Sequence, residues 1–353
     1  MRKTLIHIAF LFLPLLMTAQ EYEFSQYYTA SLYLNPAFAG IYTTPTLNAN
    51  YRQESVNVEL QRQQAQVSAV FPIITTGSEA KQFGGIGVSG YNITMGIKET
   101  EQVTGVNLTY AQTLNLGVVS PDVLAVGVQA GYETISSSFS SLRWGSQYSP
   151  YLFTGFDDTA PDPVNDYDTR TSHLIVNAGI MYYYNRNRNY LLYNYSAFSG
   201  ISVSNANRPD KSLNRDGEFK SPLLYKYHGA FEFNFNRIFV IPTAMVQMYA
   251  NNFQYNIGSY ITYATNASRG FSLDNRGLEL VAGAWYRVRD SFIVILGISH
   301  DNYAVNVSYD FNSTLFYPEQ IQQNQLQNAA FEISIKYTRN KSSKLRKVSN
   351  PLF

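Results

Sequence analysis

The sequence predicts an all-β protein: a closed antiparallel transmembrane β-barrel of about fourteen strands, preceded by a short N-terminal plug-like segment. Three observations carry this reading. Tyrosine (29) and phenylalanine (22) are abundant, while only 14% of the 353 residues are charged, where soluble domains carry about a quarter. Side chains alternate with a period of two over long segments broken by short polar or Gly/Asn/Asp-containing stretches. No run after residue 19 reaches the roughly 20 apolar residues that a membrane helix needs, so only strands remain to cross a bilayer.

The elements follow in order. Residues 1–19 form a targeting signal, with Arg2 and Lys3 as the positive n-region, Leu5 to Met17 as the apolar h-region and Met17-Thr18-Ala19 as a small-residue cleavage site before Gln20. Residues 20–45 are left over before the first strand and are the only sizeable piece able to enter a barrel as a plug or to sit in the periplasm. Within them Asn35-Pro36-Ala37-Phe38-Ala39-Gly40 reads as a short helical turn, with Asn35 as N-cap, Pro36 at the first helical position and Gly40 at the end. Phe24, Tyr27, Asn35, Pro36 and Gly40 are the residues expected to form this plug.

The barrel is expected over 46–339, with strands near 46–58, 63–71, 82–93, 101–113, 122–134, 172–184, 190–204, 223–235, 238–249, 253–265, 277–287, 291–300, 302–312 and 328–339. In the eighth, Tyr227, Phe231, Phe233 and Phe235 oppose Lys226, His228, Glu232 and Asn234; in the last, Phe331, Ile333, Ile335 and Tyr337 oppose Glu332, Ser334, Lys336 and Thr338. Lipid outside and a wet lumen inside produce that alternation. Inward charges are then expected at Arg52, Glu54, Glu133, Glu232, Glu279, Arg287, Asp310, Glu332 and Lys336, where they either hold a plug or tune a pore.

An even strand count suits a barrel with both termini in the periplasm, and loop lengths give an orientation. The longest loops, near 135–171, 205–222 and 313–327, follow odd strands, and the tightest turns, Asn185 to Asn189, Asn236-Arg237 and Asp301, follow even ones. Odd connections are therefore expected outside. The tail 340–353 is basic, with Lys341, Lys344, Arg346 and Lys347, and is expected in the periplasm.

Composition also limits the chemistry. Cysteine is absent, which removes disulfides, thiolate metal sites and cysteine nucleophiles. Lys plus Arg (26) against Asp plus Glu (25) leaves a net charge of +1, no footprint for nucleic acid. His173, His228 and His300 lie in three different strand regions without metal-ligand spacing, and are read as lumen or rim residues. Gly84-Gly85-Ile86-Gly87 sits inside an alternating strand with no helix after it, so close backbone packing is the reading, not a nucleotide loop. The acidic run from Phe156 to Asp168 could hold calcium, but its spacing is not that of an EF-hand and a solvated loop is the favoured reading. No enzyme and no cofactor are expected.

Phe24-Ser25-Gln26-Tyr27-Tyr28 followed by Leu34-Asn35-Pro36-Ala37-Phe38-Ala39-Gly40, then Gly85-Ile86-Gly87-Val88, Ala282-Gly283-Ala284-Trp285-Tyr286-Arg287, Tyr309-Asp310-Phe311-Asn312 and Phe331-Glu332-Ile333-Ser334-Ile335-Lys336-Tyr337 occur in order across almost the whole mature chain. Together they resemble the PorP/SprF family. The resemblance implies an integral outer-membrane component of the type IX secretion system in a Gram-negative bacterium, non-enzymatic, aiding secretion or surface anchoring of cargo proteins such as gliding adhesins. It implies partners among the secreted cargo and the system's periplasmic and outer-membrane components, beside the lipid bilayer. Two departures stand out: Phe331-Glu332 where the family more often has a His-Glu pair, and the added tail after Arg339. On this reading Tyr148, Tyr151, Phe153, Phe156 and Tyr167 are aromatic anchors for cargo on the longest loop. The Asn35-Pro36-Ala37 turn is also similar to the hatch of fatty-acid-transporter-like barrels, which supplies the alternative: uptake of a hydrophobic small molecule.

Overall fold

The structure is a computed structural model and describes residues 23–55, 60–74, 82–97, 100–116, 122–138, 143–157, 159–160, 170–185, 194–213, 219–265, 278–300, 302–312 and 329–339. The signal, the tail and Tyr167 lie outside the described residues, as does most of the acidic run.

Fourteen strands close one barrel: β1 Thr46–Ser55, β2 Leu60–Ile74, β3 Gln82–Ile97, β4 Glu101–Asn115, β5 Val123–Ser137, β6 Arg170–Tyr184, β7 Tyr195–Ser204, β8 Leu224–Phe235, β9 Ile238–Tyr249, β10 Asn252–Ala264, β11 Glu279–Arg287, β12 Ser291–His300, β13 Tyr303–Asn312 and β14 Ala329–Thr338. Each strand pairs antiparallel with its sequence neighbours, and β14 pairs with β1 through Thr46↔Thr338 to Ser55↔Ala329. Closure leaves no open edge, which hydrocarbon would punish by several kcal/mol for each unpaired N–H or C=O.

Outward residues are apolar and form two aromatic belts, Phe83, Tyr182, Tyr195, Phe233, Tyr263 and Tyr303 toward one mouth and Tyr51, Tyr132, Tyr225, Tyr255, Phe292 and Phe311 toward the other. Tyr and Phe rings at both levels are the mark of a barrel held between two membrane interfaces. The mouth where β1 begins and β14 ends, joined by the connections after even strands, is called the even mouth here; the other is the odd mouth.

Strands β2, β3 and β5 run further toward the odd mouth than the sequence pattern suggests, while β4 begins there at the expected Glu101. There the outer face turns polar at nearly one level: Ala65 gives way to Gln63, Gly90 to Asn92, Val106 to Thr104, Tyr132 to Thr134 and Leu174 to Ser172. On β2 both faces are polar at this end, while on β3, β4 and β5 the pattern inverts, with Ile93, Val103 and Ile135 clustered inside, so the lipid-facing alternation stops although the hydrogen-bond ladder continues. Tight turns also occur at both mouths: Asn236-Arg237 at the even one, Ala250-Asn251 and Val288–Asp290 at the odd one, while 265–278 is a long even connection. The three longest connections remain odd, so the orientation rests on those alone.

Ala250 and Asn251 both have positive φ, 47° and 69°, as a two-residue type I′ hairpin requires. An alanine pays a Cβ clash there that glycine does not. Ala250→Gly is expected to stabilise the barrel by about 0.5–1 kcal/mol, seen as a higher temperature for loss of the compact band in unboiled gel samples; an unchanged or lower temperature would contradict it.

Candidate functional site

Residues Glu23 to Tyr42 are packed inside the barrel. Phe24, Tyr27, Tyr28, Leu32, Leu34, Ala37, Phe38, Ala39, Ile41 and Tyr42 are all buried, and most join one apolar cluster with inward residues of the wall: Met181, Phe198, Phe239, Ile241, Met245, Tyr260, Trp285, Ile293 and Ile295. The lumen is thus less wet than the alternation implied. On β9 to β12 the inner face is a hydrophobic core, which is why Ile293, Val294, Ile295 and Leu296 of β12 are apolar on both faces.

The short helix α1, Ser31–Leu34, ends against side chains of the wall. Its last carbonyls have no partner within the helix. Gln129 Nε2 donates to Leu32 O (3.5 Å), Lys226 Nζ to Tyr33 O (2.9 Å) and Ser202 Oγ to Leu34 O (2.7 Å). Lys226 also lies over the Tyr33 ring, 4.1 Å from its centroid. A cation at a helix C-terminus is favoured by the backbone dipoles.

The following 3-10 turn, Pro36–Gly40, has Asn35 as N-cap: Ala37 N donates to Asn35 Oδ1 (2.9 Å). That bond fixes the amide orientation, so Nδ2 faces Ile180 O (3.2 Å), Ile201 O (3.3 Å) and His228 Nε2 (3.2 Å). Carbonyls only accept, which confirms the assignment, and His228 Nε2 must then accept as well. Phe38 stacks on the same imidazole at 5.6 Å. The turn lies on a floor of inward glycines. A Cβ at Gly127 would stand 2.5 Å from the Ala37 nitrogen, and one at Gly85 or Gly179 would overlap Ala39 O or the Asn35 side chain. The expected close packing at Gly85 is therefore against the N-terminal turn, and the carbonyl of Gly40 is taken by Thr113 and Gln82 (2.5 and 3.2 Å).

At the other end Ser25 and Gln26 are held by charges. Their backbone N–H groups donate to the two oxygens of Glu332 (2.6 and 3.2 Å), and Ser25 Oγ donates to Asp310 Oδ2 (2.5 Å). Arg52 bonds both Ser25 Oγ and Asp310, the latter at 2.7 Å, and Arg287 reaches Ser25 Oγ at 3.1 Å. Gln26 accepts from Ser334 Oγ (2.6 Å) and donates to Ser308 Oγ (3.1 Å). Burial raises the carboxyl of Glu23, with Arg287 opposing; burial also opposes ionisation of Asp290, but Arg287 and Ser291 hold it below its ordinary value.

The sequence-predicted residues therefore fall as follows. Phe24, Tyr27, Asn35, Pro36 and Gly40 lie together inside the barrel. Arg52, Asp310, Glu332 and Arg287 meet around Ser25; Glu133 instead accepts from Tyr91 and pairs with His173 (2.9 Å) and Lys211 (2.8 Å) of the β7–β8 loop. His300 faces outward near the even mouth. Among the described residues no group of three His, Cys, Asp or Glu could hold a metal ion.

On the longest loop, Gln147 to Asp157 form a small ordered hairpin. Asp157 N donates to Gln147 O (2.7 Å), Ser149 N to Gly155 O (3.0 Å), and the rings of Tyr148 and Phe156 meet edge to face at 5.9 Å with Arg143 over Phe156. These two aromatics brace the stem. Tyr151 and Phe153 stand at the tip with relative exposures of 95% and 108%.

A closed wall with two aromatic belts and charged inner strands defines an integral outer-membrane β-barrel. The chain belongs to the family of the type IX secretion system membrane protein PorP/SprF, whose family model matches residues 16–337. It is thus a membrane component of that system, and membership implies contact with the system's other components. None of the curated proteins matches the sequence. Among solved structures the chain is similar to the toluene transporter TodX of Pseudomonas putida (10% identity, TM-score 0.48, covering 92% of this chain and 96% of that one). It is also similar to a FadL homologue of Pseudomonas aeruginosa (11%, 0.42, 88% and 94%) and to the outer membrane protein Omp33 of Acinetobacter baumannii (10%, 0.37, 85% and 100%).

Proposed function

We propose that this barrel holds a secreted protein, such as an adhesin, at the outer membrane during type IX secretion, taking it on the odd mouth, which faces outward. The reading is carried by the hairpin tip, where Tyr151, Leu152 and Phe153 are three consecutive large apolar residues exposed on an ordered support. Aromatic side chains presented in this way supply most of the energy in a protein interface. The segment from Glu23 closes the lumen, so the barrel anchors its cargo and does not conduct it. The even mouth and the basic tail 340–353 serve periplasmic components of the system.

The test is the double variant Tyr151→Ser/Phe153→Ser. The barrel is expected to insert and run as a compact species, because neither ring packs against it. Retention of at least one surface protein should fall more than tenfold, since each anchor is worth about 2 kcal/mol. Unchanged surface proteins in this variant would refute the hairpin's role. If deleting the gene also leaves them unchanged but removes growth on a hydrophobic nutrient, uptake of small molecules is the function instead.

A further inference from the structure

The described chain begins at one mouth and ends at the other. Glu23 lies beside Arg287, the last residue of β11 (Nε to Oε2 3.7 Å), and accepts from Gln247 (3.1 Å) near the end of β9. Arg287 in turn pairs with Asp290 of the β11–β12 turn (3.0 Å). All of these are odd-mouth positions. Gly40 and Tyr42 instead give their carbonyls to Gln82, the first residue of β3 (3.2 and 2.6 Å), at the even mouth. Residues 23–42 therefore run the length of the lumen, so that β1 starts, and β14 ends with Thr338, at the even mouth.

Cleavage after Ala19 would leave Gln20, Glu21 and Tyr22 before Glu23. Three extended residues reach about 10 Å at most, whereas the two mouths of such a barrel are separated by an apolar band of about 25 Å. The sequence pattern places both termini on the periplasmic side, whereas Glu23 and Tyr42 lie at opposite mouths.

We propose that the mature amino terminus is displayed at the odd mouth, on the same face as the hairpin tip and opposite the carboxyl end. A protein docking on that face then meets the charged amino end of the chain as well as the apolar tip, a polar rim to an apolar contact. This deepens the reading of the odd mouth as the cargo-receiving face, and rests on it only for which side is outside.

The cysteine-free chain permits a direct test with single variants Glu21→Cys, Ser146→Cys on the hairpin loop and Asn350→Cys in the tail, labelled with a membrane-impermeant maleimide before and after permeabilisation. Glu21→Cys and Ser146→Cys should be labelled as fully in intact cells as in permeabilised ones, and Asn350→Cys only after permeabilisation. Glu21→Cys behaving like Asn350→Cys, or reacting only after denaturation, would overturn the proposal. If Glu21→Cys and Ser146→Cys both need permeabilisation while Asn350→Cys does not, the opposite-mouth inference stands and the outward assignment of the odd mouth falls. An epitope inserted between Gln20 and Glu21, probed by antibody on intact cells, gives an independent reading.

Discussion

The full-length barrel is expected to pass almost no current in planar bilayers, and the same barrel without Glu23–Gly40 to conduct steadily. The wall does not need the segment for its own hydrogen bonds, because every strand is paired on both sides. What the segment supplies is filling, Tyr27, Leu32, Leu34 and Phe38 in one apolar cluster with Met181, Phe198 and Phe239, and hydrogen bonds to Arg52, Asp310 and Glu332. Once it is gone, the inward charges and amides can hydrate. Each large apolar side chain that loses its cover costs roughly 1.5–3 kcal/mol, so the deleted barrel should also melt at a lower temperature. A deletion barrel that folds and is as closed as the full chain would sink the idea that the segment blocks the lumen. Ser25→Glu keeps the whole chain and adds a carboxylate beside Arg52 and Arg287, where Asp310, Glu332, Glu23 and Asp290 already outnumber those two cations; it should produce intermittent openings as this end detaches, and a silent Ser25→Glu barrel would count against the same idea.

How far the sequence discloses this arrangement depends on the neighbour of each face. In β8 and β14 lipid lies on one side and polar contacts on the other, so Tyr227, Phe231 and Phe233 separate cleanly from Lys226, His228 and Glu232. In β12 the same rule fails, because Ile293 and Ile295 belong to the apolar cluster inside the barrel and do not face water. At the odd ends of β2 to β5 it fails in the opposite sense, where Gln63, Asn92 and Thr104 face outward above the apolar band. Gly84-Gly85-Ile86-Gly87 reads in the sequence as close backbone packing within a strand. Its partner is not legible there, since Ala39 is far away in sequence and only closure of the wall brings it against Gly85. Arg52 and Glu332 are similar: each reads as an inward charge, but their meeting depends on β1 pairing with β14.

The second large effect is expected at Asn35, whose fully buried amide makes two separate kinds of contact. Asn35→Ala removes the N-cap bond to Ala37 N and the donors that face Ile180 O, Ile201 O and His228 Nε2. A lost cap costs about 1 kcal/mol and buried groups left without a partner about 1–3 kcal/mol, so a total near 3 kcal/mol is expected. Asn35→Asp separates the two contributions. It keeps an oxygen for Ala37 N, but turns a second oxygen toward the carbonyls of Ile180 and Ile201, leaving His228 Nε2, after a change of tautomer, as the one group there able to donate to it. Uncompensated buried charge costs about 3–5 kcal/mol, so the isosteric aspartate should be worse than alanine, despite retaining the cap. Urea unfolding followed by gel mobility orders the three proteins. An aspartate variant as stable as the parent would mean that the amide donates to nothing essential and that the cap alone seats the turn; an alanine variant worse than the aspartate would mean the same. If the aspartate is the weakest, the segment is seated by its contacts to β6, β7 and β8, and the turn is built into the wall.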